Sequence, residues 1–143
     1  MAASIRAIFL VVCVLSWCSN VLSTKLSDLP KCPKSEGVEL PENIRSAIYE
    51  EVSKWTSKKP EYSCYLEGSA ALTVLKNKGR SSSDDEVEML RTGRWTPTFI
   101  SDAVKWWAPE LKKMTALKSI GCFYRASESG KKTARLACVF KSS

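Results

Sequence analysis

The chain has 143 residues, a formal net charge of +7 and no histidine. This length suits one domain with a modest hydrophobic core. Without histidine, the chain lacks the usual general base of hydrolases and the commonest side-chain ligand of transition metals, which excludes the enzymes that depend on either. The positive charge favours anionic partners, with plain solubility as the alternative because the basic residues are scattered along the sequence.

Residues 1–23 have the pattern of a secretory signal peptide. Arg6 precedes an apolar run over residues 7–17, and a small-residue cleavage site follows, ending at Ser23. The run is too short to span a bilayer comfortably, although a retained signal anchor is the alternative. We therefore predict cleavage after Ser23 and a single secreted, extracellular domain over residues 24–143, without a transmembrane segment.

Prolines and apolar periodicity divide the first two thirds of this domain. Residues 24–40 are predicted to form an irregular arm, because Pro30, Pro33 and the following Pro41 prevent a long helix. Behind the arm, apolar residues recur at spacings of three and four, which predicts amphipathic helices. The three predicted helices span residues 42–58, 62–78 and 96–113. We expect Pro109 to kink or divide the third helix.

The stretch between the second and third helices is polar at first and then ambiguous. Residues 80–86 form a low-complexity loop that we expect to be mobile. Residues 87–95 alternate only weakly between apolar and polar side chains, so a short strand and a helical turn both fit.

Two apolar runs around the polar turn at residues 127–132 predict a C-terminal β-hairpin. If the chain folds back at Gly130, Cys122 lies opposite Cys138. Alternate residues of a strand share a face, so four apolar side chains join the two cysteines on one side. They are Ile120, Tyr124, Leu136 and Phe140. One register therefore satisfies the turn, an apolar face and a disulfide.

Four cysteines remain after the two in the signal peptide are removed. Four cysteines allow three pairings, and an oxidising compartment favours disulfides over thiols. Zinc is the competing explanation, but CxxC spacing and histidine are both missing from the sequence. The hairpin register selects Cys122–Cys138 and leaves Cys32–Cys64, which would tie the arm to the second helix.

Carboxylates are the only catalytic candidates, because no histidine can activate a nucleophile. Glu67 and Glu110 lie near aromatic residues, where partial burial would perturb their ionisation, although an ordinary surface position is the simpler interpretation for each. We expect no catalytic residue, no metal site and no cofactor.

Basic and aromatic residues are better candidates for ligand binding. Arg125, Lys131, Lys132 and Arg135 flank the hairpin turn. Arg125 and Arg135 are opposed in the predicted register, and a bound anion would relieve their repulsion. Trp106 cannot face the core if its neighbour on the helix does, so we expect it to be exposed, beside lysines.

These residues suggest three kinds of partner. An anionic glycan, a lipid headgroup or a host surface protein would suit the exposed cations and the exposed indole of Trp106. A nucleic acid is not expected. A merely solvated basic face is the alternative for the cations, and cover for a neighbouring loop is the alternative for Trp106.

Three segments occur in an order that a known family shares. They are Tyr62 to Glu67 followed by Ala70, then Ala103 to Trp107 with Glu110, then Ile120-Gly121-Cys122 with Ala137-Cys138-Val139-Phe140. They resemble the first-helix signature, the tryptophan-bearing helix and the closing strands of the CAP superfamily, which comprises cysteine-rich secretory, antigen 5 and pathogenesis-related proteins. The usual cavity of that superfamily holds two histidines and two glutamates and binds a metal. It cannot form here in that way.

The short segment between the tryptophan helix and Ile120, residues 111–118, resembles the cavity-less CAP-like surface antigens of coccidian parasites. Those antigens are usually membrane-anchored, whereas this sequence has no anchor signal. The resemblance implies an α+β fold, a three-layer α-β-α sandwich in which a small antiparallel sheet with the C-terminal hairpin is covered by helices. It also implies a non-enzymatic role in contact with a host surface.

We therefore predict a secreted, disulfide-stabilised CAP-like antigen that binds a host or extracellular ligand. One alternative is a small cationic secreted effector or inhibitor that acts on a protein or membrane partner. A hydrolase that works without histidine is the third.

Overall fold

The structure is a computed structural model that describes residues 29–77, 83–127 and 129–143. Its helices are α1 (Glu42–Ser53), α2 (Cys64–Lys76) and α3 (Phe99–Lys113), and its strands are β1 (Glu61–Tyr62), β2 (Glu86–Arg94), β3 (Leu117–Ser127) and β4 (Thr133–Ser142). The predicted signal peptide and the first part of the predicted mobile loop, residues 80–82, lie outside the described residues.

The four strands form one mixed sheet in the order β1-β3-β4-β2. β3 and β4 form the predicted hairpin, with Cys122 opposite Cys138 and Tyr124 opposite Leu136, so the predicted register is confirmed. β2 adds antiparallel to the other side of β4, and the two-residue β1 runs parallel to β3. The sheet is thus antiparallel, as expected, except for one short parallel edge strand.

Helices cover both faces of this sheet, which confirms the predicted α-β-α sandwich. On one face, α1 and α3 bury a cluster with the sheet that includes Ile48, Leu111 and Leu136. On the other face, α2 buries a second cluster that includes Leu66 and Phe123. Because side chains alternate along β3 and β4, one hairpin supplies both cores.

Gly121 allows α2 to approach the sheet closely. A Cβ atom at this position would lie 2.1 Å from the backbone nitrogen of Glu67 and 2.4 Å from the backbone carbonyl carbon of Leu66. No side chain fits at such distances, so only glycine lets the helix backbone contact β3 here. The glycine of the Ile-Gly-Cys segment is therefore explained by the close packing of α2 on β3.

The two disulfides join the pairs that the sequence predicts. Cys32–Cys64 links the arm to the first residue of α2, with Cα atoms 5.2 Å apart. Cys122–Cys138 crosslinks β3 to β4, and both side chains are fully buried in the cluster beneath α1 and α3. One bridge therefore fixes the periphery, and the other is part of the core.

Four predicted helix boundaries were wrong. α2 ends at Lys76 rather than at residue 78, and α3 begins at Phe99 rather than at residue 96. α1 ends at Ser53 rather than at residue 58, and the chain then turns. The second helix does not begin at Tyr62, which belongs to β1. It begins after Ser63, whose side-chain oxygen accepts a hydrogen bond from the backbone N–H of Leu66 and caps the helix.

In two further segments, the tertiary environment determines the secondary structure. The ambiguous residues 87–95 lie almost entirely in β2, because pairing with β4 satisfies their backbone polar groups. Pro109 does not divide α3, which is continuous through it. The residue whose carbonyl loses its helical partner is Lys105, and it lies on the exposed side of α3, where water can serve as the donor.

Candidate functional site

The turn that joins β3 to β4 presents a basic tip to solvent. Lys131 and Lys132 are both exposed. Gly130 has a φ of 69°, in the left-handed region that glycine enters without steric cost. Below the turn, the strand ladder and the Cys122–Cys138 bridge hold the two strands together. The two lysines therefore lie on a turn whose flanking strands are paired and crosslinked.

A cleft opens beside this tip. Its volume is about 630 Å³, and its lining among the described residues is Arg94, Trp95, Gly130, Lys131, Lys132 and Thr133. Pairing of β2 with β4 places Arg94 opposite Thr133. The backbone N–H of Trp95 donates to the carbonyl oxygen of Lys132 at 2.9 Å. These six residues, where β2 ends against the hairpin turn, are called the hairpin cleft below.

The hairpin cleft is strongly cationic. Its described lining includes Arg94, Lys131 and Lys132 and no acidic side chain. Within the described ranges, none of the three cations forms an ion pair. Like charges gathered on one surface repel, so an anion that enters the cleft gains from all three and relieves that repulsion.

Trp95 forms the aromatic wall of the hairpin cleft, and 37% of it is exposed. Burial raises the pKa of the Tyr124 phenol, and a side-chain hydrogen bond with Trp95 acts in the opposite direction. Because an indole N–H can only donate, the oxygen of Tyr124 is the acceptor. The observed hydrogen bond that holds Trp95 beside the turn is the one from its backbone N–H to Lys132.

Arg125 and Arg135 are opposed across the hairpin, as predicted, but they have different surroundings. Arg125 is exposed. The guanidinium of Arg135 donates to the carbonyl oxygens of Val74 at 3.0 Å and Thr73 at 3.4 Å, in the last turn of α2. The negative end of that helix stabilises Arg135, so the two arginines coexist without an anion between them. Neither lines the hairpin cleft.

Trp106 lies on α3 outside the hairpin cleft and is 69% exposed, so its predicted exposure is confirmed. The guanidinium carbon of Arg91, on β2, lies 4.6 Å from the centroid of its ring, within the range of a cation–π interaction. Its neighbour Trp107 is buried in the core. Trp106 therefore belongs to a separate arginine–tryptophan pair.

Glu67 and Glu110 do not come together. Glu67 is 1% exposed, and its two carboxylate oxygens accept hydrogen bonds from Arg45 at 2.7 and 3.0 Å. The Tyr62 hydroxyl donates to the same carboxylate at 2.5 Å. Glu110 is exposed on α3, across the sheet from α2, and pairs with Lys113 at 3.2 Å. The two carboxylates therefore share no cleft.

The network around Glu67 has a structural character. Its hydrogen bond to Glu67 raises the pKa of Arg45, against the effect of burial. Burial, followed by the charge of the Glu67 carboxylate, raises the pKa of Tyr62. The carboxylate of Glu67 is thus bound by the guanidinium of Arg45 and by the protonated phenol of Tyr62, where α1, β1 and α2 meet.

The described part of the chain was also compared with the requirements of a metal site. Across residues 29–77, 83–127 and 129–143, no group of three histidine, cysteine, aspartate or glutamate side chains is placed to hold a metal ion.

Arg94 and Trp95 carry no sequence signal of binding on their own. Their position depends on the pairing of β2 with β4, and residues 87–95 fit a helical turn as well as a strand. Even if residues 87–95 are assumed to form a strand, the sequence does not specify its partner strand or register. These bring Arg94 opposite Thr133. The lysines of the turn are the part of the hairpin cleft that the sequence predicts.

The chain resembles known proteins in sequence and in fold. A family model described as Ancylostoma-associated secreted protein related matches residues 32–140. Among solved structures, BmVAL-1 superposes with a TM-score of 0.59 at 15% identity, covering 80% of this chain and 82% of that chain. NaASP2 with Zn²⁺ gives a TM-score of 0.55 at 13% identity, covering 76% and 83%.

A third solved structure, a hookworm platelet inhibitor, gives a TM-score of 0.54 at 15% identity and covers 78% of this chain and 75% of that chain. No curated protein matches the sequence. At identities this low, the structural similarity shows the fold alone.

Proposed function

Because the chain belongs to the Ancylostoma-associated secreted protein related family, we propose that it is a secreted, non-enzymatic CAP-like protein that binds an anionic extracellular ligand at the hairpin cleft. The observation that carries this proposal is the convergence of Arg94, Lys131 and Lys132 on one cleft without an acidic side chain among its described lining residues. A role in contact with a host surface, as an antigen exposed outside the cell, follows from such a ligand.

Secretion is supported by covalent structure. The two disulfides fit an oxidising, extracellular compartment. Residues 1–23 have the pattern of a signal peptide. Within the described residues, no helix combines the length and apolar character needed to cross a membrane.

A non-enzymatic role is supported by how the candidate acids are used. The buried carboxylate of Glu67 is compensated by Arg45 and Tyr62, and Glu110 is exposed beside Lys113. All four cysteines of the described chain are joined in disulfides, so none is a free thiolate nucleophile.

Binding by the hairpin cleft is supported by its preorganisation. Arg94 is carried on a strand paired along nine residues with β4, and the turn lysines stand on a crosslinked hairpin. Groups that are already held near their bound positions lose less conformational freedom when a ligand arrives. The cations are exposed, so the attraction is long-ranged and weakens as salt shortens the screening length to about 8 Å near physiological ionic strength.

The first prediction reverses the charges of the turn. We expect Lys131→Glu with Lys132→Glu to weaken retention on immobilised heparin by about tenfold in apparent affinity, because two attractive contacts become repulsive. The fold should be unchanged, since both side chains are exposed at a turn. The measurement is the dissociation constant at physiological salt, with circular dichroism as the check on folding.

The matched control is Lys58→Glu with Lys59→Glu, another adjacent and exposed lysine pair. These residues precede β1, at the edge of the sheet opposite to β2. Both double variants change the net charge equally. Equal losses would mean that only net charge matters, and the hairpin cleft would then not be a site.

A second candidate function, that of an inhibitor acting on a protein partner, is favoured by the exposed edge of β2. Val87 and Leu90 are 47% and 44% exposed, and β2 is an edge of the described sheet. An exposed edge with apolar side chains is suited to pairing with another chain. Leu90→Lys should then abolish binding to a partner surface that Lys131→Glu with Lys132→Glu leaves intact.

A further inference from the structure

We propose that the hairpin cleft recognises a sulfated saccharide, with a sugar ring packed on Trp95 and sulfate groups held by Arg94, Lys131 and Lys132. The inference rests on the proposed function, because it names the class of ligand for the same site.

The exposed part of Trp95 is suited to a sugar ring. Its indole lines the cleft and is 37% exposed, so part of its apolar ring is open to a ligand. The C–H face of a pyranose ring is also apolar and packs flat on an aromatic ring. Its backbone bond to Lys132 places this wall directly beside the basic turn.

The cations are suited to oxyanions attached to such a ring. Arg94 presents a planar guanidinium, which binds two oxygens of one sulfate in parallel. Lys131 and Lys132 act as point charges on the other side of the cleft and tolerate several positions of a second sulfate. One stacked ring flanked by sulfate groups would therefore use the aromatic wall and the cations together.

The size of the hairpin cleft is also appropriate. A volume of about 630 Å³ falls within the range of roughly 300 to 1,000 Å³ that is usual for small-ligand sites. This accommodates a short saccharide segment rather than a folded domain. The open turn at Gly130 leaves room for a longer chain to continue past the cleft.

The composition of the tip favours a saccharide over an anionic membrane. The described tip, Ser129 to Lys132, carries no apolar side chain, and Trp95 is only about one-third exposed in the wall of the cleft. Proteins that bind at a bilayer surface bury apolar side chains below the headgroups as well as attracting their charge. The hairpin offers the charge alone.

The test is calorimetric titration of the full mature protein with a heparin-derived tetrasaccharide. We expect Arg94→Gln and Trp95→Ala each to weaken binding by about tenfold. Trp95→Phe should keep most of the affinity, because it retains an aromatic face in the wall of the cleft. This variant separates stacking from any loss of local structure. A fully desulfated tetrasaccharide should bind at least tenfold more weakly.

The matched controls are Arg91→Gln and Trp106→Ala, which dismantle the second arginine–tryptophan pair of the surface. They should leave the affinity nearly unchanged. If they weaken binding as much as Arg94→Gln and Trp95→Ala do, the inference is overturned.

Four further outcomes would overturn the inference. If only Lys131→Glu with Lys132→Glu weakens binding, the proposed function stands, but the saccharide does not occupy the cleft. If inorganic sulfate displaces the tetrasaccharide at equal concentration, the site recognises a bare anion. If vesicles of phosphatidylserine and phosphatidylcholine bind with the same dependence on Arg94 and Trp95 and the tetrasaccharide does not, the ligand is a membrane. If no variant at the cleft changes any binding, the proposed function fails as well.

Discussion

Glu67 shows how a candidate acid becomes a structural residue. Its carboxylate is almost fully buried, bound by Arg45 of α1 and by Tyr62 of β1, and Arg45 also donates to the carbonyl of Leu40. Such a pair contributes little net stability compared with apolar side chains, but removing one partner costs about 3 to 5 kcal/mol. The network therefore fixes how α1, β1 and α2 meet.

Tyr62 gives this network a measurable pH dependence. Burial and the Glu67 carboxylate raise its pKa in the folded protein above its ordinary value of about 10. Above that pH the unfolded phenol loses its proton while the folded one keeps it. The stabilisation is therefore fully present below about pH 10 and is lost as the pH rises further, by up to about 1.4 kcal/mol per pH unit.

Tyr62→Phe removes this dependence. At neutral pH the variant should be less stable by about 1 to 3 kcal/mol, because the carboxylate loses a buried donor. The difference from the native protein should shrink as the pH rises from about 9.5 to 11. Urea unfolding across that range measures it. A difference that stays constant to pH 11 would show that the phenol ionises normally.

Among the elements, the β3–β4 hairpin was the most predictable from sequence. Its two strands are neighbours in the chain, and a single register satisfies the turn, the cysteine pair and the apolar face. β2 and β1 were not predictable, because each depends on a distant partner. β1 has two residues and is held by pairing with β3, although Tyr62 was predicted to begin a helix. Tertiary contacts decide such segments.

The same distinction applies to the hairpin cleft. Lys131 and Lys132 follow from the local turn, and they were predicted. Arg94 and Trp95 enter through the pairing of β2 with β4, which no local pattern specifies. The predicted ligand residues Arg125, Arg135 and Trp106 lie elsewhere. Arg135 donates a hydrogen bond to the carbonyl of Val74 in α2. The sequence does not show this contact, because the two residues are far apart along the chain.

The two disulfides stabilise their elements in different ways. The Cys32–Cys64 bridge closes the longer loop, with a sequence separation of 32 against 16, and loop-closure entropy alone favours it by about 0.6 kcal/mol. The Cys122–Cys138 bridge is fully buried, whereas the cysteines of the first are half-buried. Chain entropy thus predicts that Cys32–Cys64 stabilises the protein more, whereas burial predicts that Cys122–Cys138 does.

We expect the buried Cys122–Cys138 bridge to contribute more to stability than the Cys32–Cys64 bridge. Replacing Cys122 and Cys138 together with alanine should destabilise the protein by at least about 1 kcal/mol more than replacing Cys32 and Cys64, because the first change also leaves a cavity beneath α1 and α3. Urea unfolding under non-reducing conditions compares the two. The reverse ranking would mean that chain entropy dominates and that the core closes around the missing sulfur atoms.

The α-β-α sandwich keeps the hairpin cleft, the proposed binding surface, away from both hydrophobic cores. Both clusters end below the hairpin turn, so the tip is free to carry charge without disturbing the packing. The family model and the structural neighbours support the CAP superfamily, and the finer resemblance to coccidian surface antigens stays a prediction. Within this fold, the cationic end of the sheet is what the present chain would present outside the cell.

Processing of the leader offers a test of the whole chain. Cleavage after Ser23 would remove Cys13 and Cys18 and leave the four cysteines that the structure pairs. We therefore expect the protein secreted by eukaryotic cells to begin at Thr24 and to contain no titratable thiol after denaturation. N-terminal sequencing and thiol titration measure the two properties independently. A product that still begins at Met1 and stays with the cells would show a retained leader. The domain would then be held at a membrane by its N-terminus, and the hairpin cleft would act on ligands near that surface rather than as part of a freely diffusing protein.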